Sequence, residues 1–474
     1  MSRRKIVATL GPPTANADSI KALHAAGMDV IRLNGSHATL DWHAKVIQLV
    51  REIIPNMPIL LDVPGRKIRT IQLLHEPSFS IGSTVILTTD LTYDGFQKVP
   101  VNYASMHNHV QAGYTIYADD GQIRFTVIKV DGQDIVCRAE CDGILRSAKG
   151  INVPMITFGN ELLTDRDRQM LAFGSDIGVD FVGISFVENA NHVRAVRETI
   201  GNRLPLIAAK IENRAGLNNV LSIAAIADAI MVDRGDLAVE TELESVALSQ
   251  KHIVAVARKA ACPVIIATEM LHTMIMNSNP TKAEISDITN SVLDGASALM
   301  LSGETAVGSF AVEAVATMRR VSDHAANFDV RKNAGGGEVG IPSAVCEAVG
   351  VLCANAPISK IVAVTVSGYA ARKLAALMPS QPIIAVSNSI KNARALNLLP
   401  GVTGVAVDLA FLKNSTDHIP LCLRFLWENN LINDEDLLLV VAVSYPNAGN
   451  RMNLLELHHV KDLRASLGWL PGMA

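Results

Sequence analysis

Charged and polar side chains recur in this chain where short apolar runs end. In VIRLNGS, Arg32, Asn34 and Ser36 alternate with Leu33 and Gly35, so a strand would carry all three on one face. Arginine, an amide and a hydroxyl side by side suit an oxyanion and a cation. Asp62 ends the apolar run PILL, with Lys67 and Arg69 following two residues apart. Lys210 and Glu212 share a face in AAKIEN, Asp236 stands in DRGDL, Thr268 ends VIIAT, and Ser302 and Glu304 stand in LSGET. Singly, each is the kind of residue that caps a strand or pairs across a surface. Together, carboxylates, cations and hydroxyls at one place cost free energy unless ligands balance them. The combination points to a metal-assisted phosphate site.

Those residues need strands to position them. Eight β-rich runs, KIVATL, DVIRLN, PILLDV, FVGISF, PLIAAKIE, DAIMVDRGDL, PVIIAT and ALMLSGE, lie within 1–70 and 154–330 and alternate with helix-like stretches such as ADSIKALHAAG. Near-continuous apolar strands between helices make a parallel sheet covered on both faces. Eight β/α units predict a closed (β/α)8 TIM barrel, with an open doubly wound sheet as the alternative. The interruption at 71–153 has short alternating segments and turns at Asp119-Asp120-Gly121 and Asp131-Gly132, which read as a small antiparallel β domain. Inserted after the third strand, it would form a small β-barrel lid over the barrel's carboxyl-terminal face, where barrel active sites lie. NAGGGEVG at 333–340 reads as a linker. The segment 340–474 returns to alternating helices and strands (KIVAVTV, PIIAVSN, VTGVAVD, LLLVVAVS), a doubly wound α/β domain.

Composition narrows the class. At 474 residues, 49% hydrophobic and 19% charged, the chain is globular and long enough for two to four domains. A net charge of −4 makes no electrostatic case for nucleic acid or an anionic membrane. Six cysteines without CxxC pairs argue against a disulfide framework or zinc site and suit a reducing cytoplasm. MSRRK runs into KIVATL with no signal-peptide pattern, and the late apolar run at 437–443 is too short to span a bilayer.

The motifs IRLNGSHA, LDVPGRKIRT, YADDGQI, SAKGINVP, LIAAKIEN, IMVDRGDLAVE, VIIATEMLHTMI, NPTKAEISDITNSVLDGASALMLSGETAVG and IVAVTVSGYAAR resemble those of pyruvate kinases, in that family's order and over nearly the whole chain. The resemblance implies a catalytic barrel, a mobile lid and a C-terminal effector domain, often assembled as a homotetramer. It implies transfer of the phosphoryl group of phosphoenolpyruvate to ADP, giving pyruvate and ATP. It also implies that Glu212 and Asp236 hold Mg2+ or Mn2+, that Arg32 and Lys210 bind the phosphoryl group, and that Arg69 supports it beside the nucleotide. Lys210 would stabilise the enolate with the metal, and the backbone N–H groups of Gly235 and Asp236 would hold the substrate carboxylate. Thr268 would order a water that protonates the enolate, with Ser302 and Glu304 in the relay. Arg32, Asn34, His37, Arg69, Asp120 and Lys149 stand at nucleotide positions.

Several departures from that pattern carry information. Lys67 stands where many members have Glu and need K+; Asn34, Ser36 and Asp62 match the K+ ligands, and Val63 replaces a Thr whose carbonyl also binds the ion. An ammonium there could supply the charge internally, so the chain resembles the K+-independent branch and K+ is not expected to be required. Gly35 (usually Phe), Asp233 (a small residue), Ala238 (Gly) and Glu269 (Gln) could tune affinity or shift the substrate to a relative of phosphoenolpyruvate. Thr365, Ser367 and Gly368 match the effector phosphate loop. Tyr369 stands where Arg or Lys is common, and SYPNAGNRMN lacks the Trp-Arg pattern of fructose-1,6-bisphosphate binders. Another sugar phosphate, a nucleotide, or no effector at all is the expectation. Two readings compete: a related phosphoenolpyruvate/pyruvate-class barrel aldolase or lyase, and a non-catalytic metabolite sensor that could dispense with Lys210, Glu212 or Asp236.

Overall fold

The structure is a computed structural model and describes residues 3–469 apart from 120, 155, 157–161, 202–203, 329–339, 412–414 and 444–451. The linker reading therefore falls outside the described residues except at Gly340, as does SYPNAGNRMN except at Met452 and Asn453.

Eight parallel strands close into a barrel in sequence order: β1 (Lys5–Thr9), β2 (Val30–Asn34), β3 (Ile59–Val63), β4 (Phe181–Ile184), β5 (Leu206–Ile211), β6 (Ala229–Asp233), β7 (Val264–Ala267) and β8 (Ala298–Leu301), with β8 pairing back onto β1. Strand alternation divides the core in two. Ile6, Ile31, Leu33, Leu61, Val182 and Ile230 face out under the helices, while Val7, Val30, Leu60, Phe181, Ala208 and Met231 fill the interior. One inward position further up, the same strands turn polar: Arg32 follows Val30, Asp62 follows Leu60, Lys210 follows Ala208 and Asp233 follows Met231. The barrel is thus apolar through its body and charged at its carboxyl-terminal mouth.

Local chemistry starts and stops the helices that hold the strands apart. Thr281 and Glu284 form a reciprocal capping box on helix Lys282–Asp294, and Gly295, at φ +108°, ends it. Thr164 and Asp167 do the same for Asp165–Ile177.

The segment between β3 and β4 forms a seven-stranded sheet in the order Ile68–Arg69, Gly150–Asn152, Thr115–Ala118, Ile123–Asp131, Asp134–Ala139, Thr84–Thr88 and Val99–Pro100. A bridge between Thr70 and Val101 and a hydrogen bond from Asn102 N to Arg69 O (2.9 Å) join its two ends, so the lid closes on itself. It has its own core, centred on Leu87, Ile116, Phe125 and Ile135.

The C-terminal sheet comprises β9 (Lys360–Val364), β10 (Ile383–Ser387), β11 (Val402–Ala406), β12 (Leu437–Ala442) and β13 (Leu454–His459), ordered β11-β10-β9-β12-β13, with only β13 antiparallel. Ile361 and Ala363 pack on one helical layer and Val362 and Val364 on the other, as a doubly wound sheet requires. This domain closes the foot of the barrel: Ala395 and Leu398 enter the barrel-interior cluster. Among the described residues no helix is long and apolar enough to cross a membrane.

Candidate active site

At the mouth of the barrel the charged side chains form one connected cage. Arg32 donates from Nε and Nη2 to Asp62 Oδ2 (3.1 and 2.5 Å) and from Nη1 to Thr9 Oγ1 (3.2 Å). Lys210 Nζ lies 3.1 Å from Glu212, 3.2 Å from Asp233 and 3.6 Å from Asp62, and donates to Ser185 Oγ at 3.0 Å. Lys67 Nζ pairs with Asp236 Oδ1 at 2.6 Å. The four carboxylates Asp62, Glu212, Asp233 and Asp236 face the three cations Arg32, Lys67 and Lys210, so full ionisation would leave one negative charge in excess. Gly183 makes room for the cage: a Cβ on it would lie 2.5 Å from Asp62 Oδ1.

Burial sets the protonation of this cluster. It disfavours the Lys210 ammonium, but Asp62, Glu212 and Asp233 outweigh it and hold that group well above its ordinary value. Burial pushes Glu212 up to about 8 against the pull of Lys210 and raises Asp236 against the pull of Lys67. Asp233, equally buried, is held low by Lys210 and Lys67. Glu212 is fully buried; its Oε1 accepts from Phe186 N at 2.6 Å, while its Oε2 has no hydrogen-bond partner among the described residues. Phe186 aims that N–H from a left-handed backbone, φ +55°. Glu212, Asp233 and Asp236 each offer an oxygen, all within 4.8 Å of one another. Hard oxygen donors around a buried carboxylate oxygen whose neighbour is the Lys210 ammonium at 3.1 Å fit a divalent cation such as Mg2+ or Mn2+.

A second group borders the cage. Thr268 follows β7 at φ +69°, strained for a β-branched residue, and Glu269 follows at +54°. Arg234 holds this turn by donating to the Thr268 carbonyl (2.6 Å) while paired with Asp287. Thr268 Oγ1 accepts from Gly235 N at 3.0 Å, in the first turn of helix Arg234–Glu240. Glu304 is buried and accepts from Leu271 N and Ser302 N, tying the loop after β7 to the end of β8. Ser302 Oγ is buried without a hydrogen-bond partner among the described residues.

Other expected site residues lie further out. Strand β2 ends at Asn34, so the period-two reading stops there. Ser36 falls in the following turn, its N–H donating to Asn34 Oδ1 (3.1 Å). His37 is held below its ordinary value by burial and then by Arg69 and Arg32, which places it near both cations. Arg69 Nη1 donates to Ala148 O (3.1 Å) and Lys149 pairs with Asp119 (2.6 Å), so both face the lid edge and not the cage. Val63 is buried in the outer core. Asp120 lies outside the described residues. In the C-terminal domain Thr365 Oγ1 accepts from Gly368 N (3.0 Å), and Gly368 takes φ +76° with Leu396 so close that a Cβ would meet it at 2.8 Å. Ser367 lines a small cleft there with Arg372 and Asn392.

Sequence reasoning missed Ser185, Thr9 and the Asn152–Glu240 contact. Asn152, on the last lid strand, donates to Glu240 Oε1 at 2.9 Å. Glu240 ends the short helix that carries Asp236 and lines, with Asn152, Arg66 and Arg214, a cavity of about 180 Å³ between lid and barrel. Ser185 just after β4 was legible, since the other barrel strands also end in polar residues.

Fold and site together define a lid-bearing barrel phosphotransferase. The family model described as pyruvate kinase, barrel domain matches residues 1–315, and pyruvate kinase, alpha/beta domain matches 343–458. Among curated relatives, pyruvate kinase 2 of Synechocystis is 33% identical over 97% of this chain and 80% of its own length. The pyruvate kinase of Borreliella burgdorferi is 33% identical over 97% of both chains, and that of Bacillus licheniformis 34% over 98% of this chain and 82% of its own. The chain belongs to the pyruvate kinase family.

Proposed function

We infer that this chain transfers the phosphoryl group of phosphoenolpyruvate to ADP, yielding pyruvate and ATP. The observation that carries the reading is the single cage joining Arg32, Lys67 and Lys210 to Glu212 and Asp236 at the barrel mouth, in a chain of this family.

Glu212 and Asp236 would hold Mg2+ or Mn2+, which supplies positive charge to the phosphoryl and enolate oxygens when bound. Arg32, fixed by Asp62 and Thr9, presents its guanidinium to the phosphoryl group without reorganising. Lys210, kept protonated by three carboxylates, holds its charge where the enolate oxygen develops. The N–H groups of Gly235 and Asp236 receive the substrate carboxylate; Gly235 then releases the Thr268 hydroxyl. Thr268 Oγ1 is thereby free to orient a water toward the enolate carbon. The buried Ser302 hydroxyl continues the proton path, and Glu304 positions Ser302 through its backbone. Arg32, Asn34, His37, Arg69, Asp120 and Lys149 take the nucleotide.

Lys67 supplies the positive charge that K+ would bring to Asn34, Ser36, Asp62 and Val63; an ammonium within the same cage, on Asp236, supports this reading. The loop Thr365, Ser367 and Gly368 follows β9, at the point where the order of the C-terminal sheet reverses. Ligands bind open α/β sheets there, and this supports a sugar-phosphate or nucleotide effector. The free cysteines support a cytoplasmic location, and a homotetramer rests on the family resemblance.

The test is ATP formation from phosphoenolpyruvate and ADP with Mg2+, in tetramethylammonium buffer and again with K+. Equal formation in both is expected. No ATP in either would overturn the activity; formation only with K+ would overturn the role of Lys67.

A further inference from the structure

Asp233 enters the mechanism above only as a counter-ion of Lys210, yet it stands inside the cage. It is the last residue of β6, directly precedes helix Arg234–Glu240, and is buried. We propose that Asp233 is a third protein ligand of the divalent cation, beside Glu212 and Asp236, and not solely a counter-ion of Lys210. The proposal rests on the divalent-cation reading of Glu212 and Asp236.

Three observations support it. The donor oxygens of Glu212, Asp233 and Asp236 all lie within 4.8 Å of one another, close enough to meet on one ion with small side-chain adjustments. Glu212 Oε2 is buried and, apart from the Lys210 ammonium at 3.1 Å, has no partner among the described residues; Asp233 Oδ2 lies 3.2 Å from that same ammonium, which sets the two oxygens side by side. The third observation is electrostatic. Lys67 Nζ sits 2.6 Å from Asp236 Oδ1 and offsets part of its charge. Lys210 offsets Glu212 in the same way, so Glu212 and Asp236 alone would present a divalent ion with almost no net charge, and Asp233 adds one negative charge.

Asp233 can serve Lys210 and the cation together. A carboxylate offers about four lone-pair sites on two oxygens, so contact with the ammonium leaves acceptor capacity for an ion. Lys210 meanwhile keeps Asp62, Glu212 and the Ser185 hydroxyl. Asp233 and Asp236 are three residues apart across the first turn of a helix, a spacing that sets side chains on the same side. Both are held from one rigid strand-to-helix junction.

The test is direct binding of Mn2+ to the full chain without substrate, followed by electron paramagnetic resonance of free Mn2+, for wild type, Asp233→Asn, Asp233→Ala and Asp236→Asn. Asn preserves the shape of Asp233 and Ala removes its reach, so one remains readable if the other does not fold. The expected result is wild-type binding, with both Asp233 variants weakened roughly tenfold or more, in the range that disturbing the surroundings of a metal ligand costs. Wild-type affinity in both Asp233 variants, with binding lost in Asp236→Asn, overturns the proposal and leaves the two-carboxylate site standing. Failure of the wild type and of every variant to bind Mn2+ overturns the cation reading itself.

Discussion

Lys210 is fully enclosed by groups that oppose its desolvation, and that determines what its removal would do. Lys210→Met deletes the one cation that Asp62, Glu212 and Asp233 share. ATP formation should fall by about a thousandfold or more, the scale of losing a preorganised charge at a developing oxyanion. The assay must use protein shown to be folded, because unpairing a buried charge costs about 3–5 kcal/mol. A variant keeping a tenth of wild-type activity would remove Lys210 from the chemistry. Lys67→Glu tests a different property: ATP formation in tetramethylammonium buffer should collapse and return when K+ is added, while the wild type stays level. At this scale much was legible. Arg32, Lys210, Glu212 and Asp236 were visible as polar residues at the ends of apolar runs. That Asp233 would meet Lys210 was not, because contact across neighbouring strands depends on register, which no single segment displays.

Elements meet at the lid hinge and behind the barrel. Asn152→Ala would leave the Glu240 carboxylate buried without its 2.9 Å donor, at a cost of about 1–3 kcal/mol, read as a fall in the thermal unfolding midpoint. Unchanged stability would mean that the lid strand and the Asp236 helix are held together by other contacts. Helix Ala190–Ile200 carries His192, whose buried ring is pushed down to about 4 by desolvation, with Asp167 opposing and Arg66 reinforcing. The folded chain therefore prefers the neutral ring, while the unfolded chain binds a proton below about 6.5. This contribution is fully present above pH 6.5 and lost as pH falls toward 4, amounting to roughly 3 kcal/mol. His192→Gln should flatten the acid side of a stability-versus-pH curve; an unchanged slope there would assign it to other groups. Elements of this kind were readable wherever a cap and a period coincided, as at Thr281, Glu284 and Gly295. The closing bridge of the lid was not, because Thr70 and Val101 belong to segments too short to show alternation.

Across the whole molecule, the C-terminal α/β domain is anchored to the feet of two barrel strands. Asp180, just before β4, accepts from Arg51 of the barrel (2.6 Å) and Arg394 of the C-terminal domain (2.8 Å). Asp228, just before β6, pairs with Arg197 of the barrel and with Arg372 (3.3 Å), on helix Tyr369–Leu377. Lys5 Nζ adds a bond to Val402 O at 2.8 Å. Combining Arg372→Ala with Arg394→Ala should loosen this seam, so that one calorimetric unfolding transition separates into two, the C-terminal domain melting first. A single transition at the wild-type temperature would mean that the apolar plug of Ala395 and Leu398, with the Lys5–Val402 bond, holds the domains together without the arginines.

The sequence by itself determined which residue types stand at strand ends, which segments alternate with period two, and where helices begin and stop. Those are short-range properties, decided within a few residues by backbone geometry and side-chain reach. The tertiary structure alone decided that Lys67 and Asp236, separated by 169 positions, share one ion pair, and that a charged layer lies above an apolar barrel interior. Closing the barrel sets the stagger of all eight strands together, so the meeting of their ends is a property of the closed sheet and of no strand within it.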